Sequence, residues 1–144
     1  MTEAIPQAIP QAIQFQLGDD GILLATIDLP GRAMNVLNEI TGAAIETMVQ
    51  RVETDPAVKG LVITSGKKDF LAGADLEGIR DISTAQQAFD LSMVMKRQLR
   101  RLEKCGKPAV AVIHGMCFGG GFELTLACHH RIAVTGARLG TPEV

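Results

Sequence analysis

The stretch from Val110 to Glu123 holds residues whose types and spacing could do chemistry. An apolar run, Pro108-Ala109-Val110-Ala111-Val112-Ile113, has the length and composition of a strand buried on both faces, and it stops at His114-Gly115. Gly119-Gly120-Gly121 follow, then FELTLAC, which is compatible with a helix. Strand, glycine turn and helix in that order leave the N–H groups of Gly120 and its neighbours free at a helix start, where the helix dipole is positive. Such a spot suits an oxyanion. Glu123, in the first turn, either caps the helix or serves as an acid or base beside the anion.

A second candidate element is Phe70-Leu71-Ala72-Gly73-Ala74-Asp75-Leu76. It is a loop of small residues just beyond the expected carboxyl end of a strand, where open α/β sheets place their ligands. Other chemistries are poorly served. His114-x-x-Cys117 and Cys128-His129-His130 match no common zinc spacing, so no metal is expected. No GxSxG elbow or GxGxxG fingerprint occurs, which argues against a serine hydrolase and against a dinucleotide site in these residues.

Composition narrows the class further. A 144-residue chain with a net charge of −2, five Phe and no Trp or Tyr lacks the basic field and stacking platform of a nucleic-acid binder. No apolar run reaches the roughly 18 residues of a membrane span. The start, MTEAIPQAIPQAIQ, carries Glu3 and no basic residue, unlike a secretory or mitochondrial leader, so the expected location is cytoplasmic. Its near-repeat with prolines reads as an extended, poorly ordered tail over residues 1–12, ahead of one domain over 13–144. Cys105, Cys117 and Cys128, odd in number and without a CxxC pair, read as reduced thiols.

The elements that must position the site follow from pattern. Ile13 to Leu17 and Ile22 to Ile27 read as a hairpin about Gly18-Asp19-Asp20-Gly21. Asn38 is a candidate N-cap for a helix from Glu39 to about Asp55, its apolar stripe Ile40, Ala44, Met48, Val49 and Val52. Gly60 to Gly66 reads as a buried strand, parallel to an earlier one. Ser83-Thr84-Ala85-Gln86-Gln87 resembles a capping box opening a long helix with Ala88, Leu91, Met95, Leu99 and Leu102 on one stripe. Its other side carries Arg97, Arg100, Arg101 and Lys104, either a solvated face or a receiver of phosphates. The helix after Glu123 is expected to end near His129-His130, whose charge suits that position, and Arg131 to Val134 reads as a strand. Residues 138–144 read as a loop that stops mid-element.

These residues carry a resemblance. FLAGADL at Phe70 to Leu76, AVIHGMCFGGGFEL at Ala111 to Leu124 and LGTPEV at Leu139 to Val144 resemble, in order and spacing, the three signatures of the crotonase (enoyl-CoA hydratase/isomerase) superfamily. IDLPGRAMNVLN at Ile27 to Asn38 is similar to the amino-terminal hydratase part of multifunctional fatty-acid oxidation α subunits. The resemblance covers residues 13–144, about half of such a domain. It implies an α/β fold, the crotonase-like ββα spiral, truncated after its first turns.

Carried over by position, the resemblance makes the amides of Ala74 and Gly120 an oxyanion hole, and Glu123 and Glu143 the two carboxylates of a hydratase. Coenzyme A, as part of the substrate, would run along Ala72, Gly73, Ala74, Asp75 and Leu76 and past Gly120, with Arg32 and Ala33 near its pantetheine arm. No other cofactor and no metal is implied. Two retained glutamates favour adding water across a trans-2-enoyl-CoA in β-oxidation. The alternatives are enoyl isomerisation or other acyl-CoA chemistry, or an inactive half-domain that only oligomerises. The implied partners are an acyl-CoA thioester, other copies in a trimer-based assembly, and a thiolase subunit if the chain fronts a multifunctional protein.

Overall fold

The computed structural model of the chain describes residues 11–143. Residues 1–10 of the expected tail lie outside them, whereas Ala12 is buried and its carbonyl accepts the Asp28 N–H at 2.7 Å. The hairpin forms as read: β1 (Ile13–Leu17) runs antiparallel to β2 (Ile22–Ile27). Its turn is closed by Gly21 N–H to Gly18 O at 2.9 Å and by the Asp20 carboxylate accepting from Ile22 N–H at 3.0 Å. Gly21 sits at φ 83°, which a glycine adopts without steric cost.

Helix α1 (Glu39–Thr54) starts at Asn38, whose side chain accepts from Thr41 N–H at 3.0 Å. The buried stripe is Thr41, Ile45, Met48, Val49 and Val52. Ile40 and Ala44 are only half-buried, so the stripe is turned slightly from the expected one. Strand β3 (Gly60–Ser65) then pairs parallel to β2, as a β-helix-β unit requires. After the short α2 (Leu76–Arg80) comes α3 (Ala85–Glu103), opened by a reciprocal capping box between Thr84 and Gln87. Strand β4 (Ala109–Ile113) pairs parallel to β3.

The remaining elements are β5 (Met116–Phe118), α4 (Gly120–Ala127), β6 (His130–Ala133) and β7 (Arg138–Gly140). One sheet has the order β1-β2-β3-β4-β6, and β5 with β7 forms a second, two-stranded one. The core fills one face of the large sheet: Leu23, Ala25, Ile27, Leu61, Ile63, Ala111 and Ile113 pack with Ile45, Met48 and Val52. Burying each Leu, Ile, Met or Val side chain among them contributes on the order of 1.5–3 kcal/mol.

Several expectations are corrected. Strand β4 is fully buried at Ala109, Ala111 and Ile113, but Val110 and Val112 on its second face are half-buried. Segments expected as turn and loop pair with each other as β5 and β7. Helix α4 ends at Ala127, close to the expected His129-His130, but His129 does more than face the helix end: its Nδ1 accepts from Ala109 N–H at 2.9 Å and its Nε2 meets Glu103 O at 2.8 Å. In α3 only Gln98 and Leu102 are buried, while Phe89, Leu91 and Val94 are exposed. The helix is anchored near its carboxyl end, where Gln98 donates to Gly42 O at 3.2 Å. Arg101 there is bridged to Glu46 and Glu53 on α1, carboxylates that hold its guanidinium above the ordinary range, Glu53 most strongly. Arg100 pairs with Glu103, so two of the four cations on that side already hold carboxylates.

One glycine tests the packing of the second signature against the first. In α4 a Cβ on Gly121 would lie 2.5 Å from the Leu71 carbonyl oxygen and 2.8 Å from Leu71 Cδ2. Gly→Ala inside a helix ordinarily stabilises by about 1 kcal/mol. Here the backbone collision dominates, and Gly121→Ala should destabilise by about 1–3 kcal/mol. A shift of the urea midpoint to lower concentration checks it; a shift upward would show that α4 does not press on the Leu71 loop.

Candidate active site

Two loops meet at the carboxyl ends of β3 and β4. The first, residues 70–75, is held on one edge by the segment after β2: Ala72 N–H donates to Asn35 O at 2.9 Å, Leu37 N–H to Gly73 O at 2.8 Å, and Asp75 N–H to Leu37 O at 2.8 Å. The last two bonds make a parallel bridge between Leu37 and Ala74. In such a bridge the bracketed residue directs its own N–H away from the partner strand. The amide of Ala74 is therefore left for something other than Leu37, and Ala74 is exposed.

The second loop is the glycine turn. Leu71 bridges to Cys117 in β5, with Leu71 N–H to Met116 O at 3.2 Å and Phe118 N–H to Leu71 O at 3.0 Å. Gly119, at φ 51°, is the N-cap of α4, and its carbonyl accepts from Glu123 N–H at 2.9 Å. Gly120, Gly121 and Phe122 are thus the first-turn residues whose N–H groups have no carbonyl within the helix to bond. The loops touch: a Cβ on Gly73 would lie 3.3 Å from Phe118 O and 3.9 Å from the Gly119 Cα. At Gly120 a Cβ would collide with the Leu37 side chain, so the first position of α4 is pressed against the same segment that brackets Ala74.

The carboxylates are placed by these elements. Glu123 stands in the first turn of α4 and is exposed. Strand β7 delivers Glu143, since Gly119 N–H donates to Gly140 O at 3.0 Å. The Glu143 Oε1 lies 3.3 Å from where a Cβ on Gly119 would be. Glu143 is exposed as well.

Arg32 lies 2.8 Å from the Asp75 carboxylate, which also caps α2 through Glu77 N–H at 3.3 Å. Lys67 ties the base of this corner, donating to Arg32 O at 2.8 Å and pairing with Asp28 at 2.9 Å. Ala33 and Leu76 are exposed at its rim. The residues that composition and motif did not single out are Asn35, Ser65 and Asp69, which join this corner to the sheet. Their signal is burial and hydrogen bonding, neither visible in a linear pattern.

Among the described residues no group of three or more His, Cys, Asp or Glu is placed to hold a metal, and no helix is long and apolar enough to cross a membrane. Cys117 and Cys128 are buried, and desolvation pushes each thiol up to about 12 from 9.0. Both therefore stay protonated in the folded chain where the unfolded chain ionises. Folding stability should be unaffected by them below pH 9 and should fall as pH rises from 9 toward 12. At pH 8 an aromatic disulfide reagent should titrate one thiol quickly, the half-buried Cys105, and three after denaturation. Fast reaction of all three in the native state would contradict the buried placement.

Residues 18–144 match the family model described as enoyl-CoA hydratase/isomerase. The chain belongs to the enoyl-CoA hydratase/isomerase family, and its structure is a partial crotonase fold.

Particular relatives sharpen this. The chain is 44% identical over 129 residues to the fatty acid oxidation complex subunit alpha of Shewanella sp. (strain W3-18-1), covering 88% of this chain and 18% of that protein. It is 39% identical over 137 residues to the same subunit of Idiomarina loihiensis, covering 93% and 19%. Among solved structures it resembles the enoyl-CoA hydratase of Thermoplasma volcanium, with TM-score 0.84, 27% identity, and 93% of this chain and 52% of that one covered. It also resembles that of Bacillus anthracis, with TM-score 0.83, 25% identity, and 92% and 51% covered. The chain thus spans about a fifth of the curated relatives it matches and about half of the solved enzymes.

Proposed function

We propose that this corner is the thioester-carbonyl end of a hydratase site that adds water across a trans-2-enoyl-CoA. The carrying observation is the contact between the Gly73 and Gly119 turns, each next to an amide, of Ala74 or Gly120, that its own secondary structure leaves unbonded. Two such donors aimed at one thioester oxygen would stabilise the charge that builds there as water attacks C3. Glu123 and Glu143 would divide the remaining work, one deprotonating water and the other protonating C2. The acyl-CoA brings its own coenzyme A, which would follow residues 72–76 past Arg32 and Ala33.

The test follows the conjugated enoyl-thioester absorbance of a short 2-enoyl-CoA. Its enzyme-dependent loss supports hydration. Movement of a 3-enoyl-CoA into conjugation, without hydration, would favour the isomerase reading instead. In the wider reading the chain fronts a cytoplasmic fatty-acid oxidation subunit, assembled as trimers or with a thiolase.

A second reading, a half-domain that associates without turnover, is favoured by one observation. Phe89, Leu91, Val94, Leu126, Ile132 and Val134 are all at least half exposed. Exposed apolar side chains of this size would favour association wherever they join into one patch. The 144-residue chain alone should elute from a sizing column as an oligomer with little or no hydratase activity, whereas a chain continuing through a whole domain should be active. A monomeric, fully active 144-residue chain would reject this second reading.

A further inference from the structure

We propose that Asn35 is a positioning residue of the oxyanion site, fixing the loop of Ala74 relative to the glycine turn. The inference rests on the hydratase reading above and adds a residue to it. Asn35 is 0% exposed, and its side chain joins three segments. Its Oδ1 accepts from Leu29 N–H at 2.9 Å, past the end of β2. Its Nδ2 shares its two hydrogens among three acceptors, Ile27 O at 3.0 Å, Ser65 Oγ at 2.9 Å at the end of β3, and Phe70 O at 3.1 Å at the start of the signature loop.

Ser65 extends the pin. Its hydroxyl donates to Asp69 O at 2.6 Å and accepts from Lys67 N–H at 3.0 Å. The Asp69 carboxylate in turn accepts from Met116 N–H at 2.8 Å, at the start of the strand that leads to Gly119. One polar cluster, buried at Asn35 and Ser65 and half-buried at Asp69, therefore contacts both the loop that presents Ala74 and the strand that presents Gly120.

The chemistry explains why a polar group stands here. Phe70 and Leu71 are anchored by burial, but Ala72, Gly73 and Ala74 carry side chains too small to fix their own amides by packing. Their register must come from hydrogen bonds, and Asn35 supplies these twice, through its side chain to Phe70 and through its main chain to Ala72. A buried amide is tolerated only when its donors and acceptors are met, as they are here. An apolar residue of similar size would fill the space without setting the loop.

The test uses the protein as its gene encodes it, with Asn35→Ser and, as the milder change, Ser65→Ala. The probe is a 3-arylacryloyl-CoA with an electron-donating para substituent, whose absorption moves to the red when its thioester carbonyl is polarised. Both variants should bind coenzyme A within about two-fold of the parent, lose much of the red shift, and lose kcat by about 10–10²-fold, as for ångström-scale misplacement of donors. If the parent itself gives no red shift, the site reading fails and this inference falls with it. If the parent shifts the probe and Ser65→Ala keeps both shift and kcat, Asn35 merely fills the core and only this inference is overturned. A parallel loss of coenzyme A affinity and red shift would overturn it too, as general damage. Should Asn35→Ser fail to fold, Ser65→Ala decides alone.

Discussion

Glu123→Gln should lower the rate of enoyl-CoA hydration by about 10²–10⁴-fold, the usual share of a positioned acid or base. The substitution keeps shape and removes only the ability to exchange a proton. Because Glu123 is exposed in the first turn of α4, its loss should change stability little, mainly through the few tenths to about 1 kcal/mol that a carboxylate gains at a helix start. A fall in kcat without a fall in thermal midpoint or coenzyme A affinity identifies a chemical role. Activity within three-fold of the parent would leave Glu123 as a capping carboxylate and remove it from the site.

Removing one main-chain donor is the second large effect. Ala74→Pro deletes an N–H that the Leu37 bridge does not use, at an exposed position with no packed side chain to lose. Loss of a single oxyanion donor costs on the order of 10²–10³ in kcat. Measured together with Glu123→Gln, the double variant should show less than the product of the two losses, since groups serving one transition state do not act independently. A proline variant that unfolds at the parental midpoint and turns over at the parental rate would show that the Ala74 amide does not face the reacting carbonyl.

The local elements were legible because their causes are local. The Gly18–Gly21 turn, the Asn38 cap and the Thr84–Gln87 capping box each lie within a few residues, and all three formed as read. The parallel pairing of β3 with β2 was legible from the strand-helix-strand order. Strands β5 and β7 were not, since three residues carry no period and these exist only because they pair with each other. The α3 stripe misled for a related reason: amphipathic spacing tells which face can be buried, and contact decides how much of it is.

By itself, then, the residue order determined the family, the opening hairpin, the strands β3 and β4 and the helices α1 and α3, because caps, turns and motifs are written in short spans. Only the tertiary structure decided that the Gly73 and Gly119 turns lie against each other, that β7 brings Glu143 beside Gly119, and that a buried Asn35 ties the Phe70 loop to the sheet, with Ser65 and Asp69 extending the link to Met116. Those long-range contacts join residues from 24 positions apart (Gly119 and Glu143) to 47 (Asp69 and Met116), and partners at that separation are selected by how the sheet packs, not by spacing along the chain.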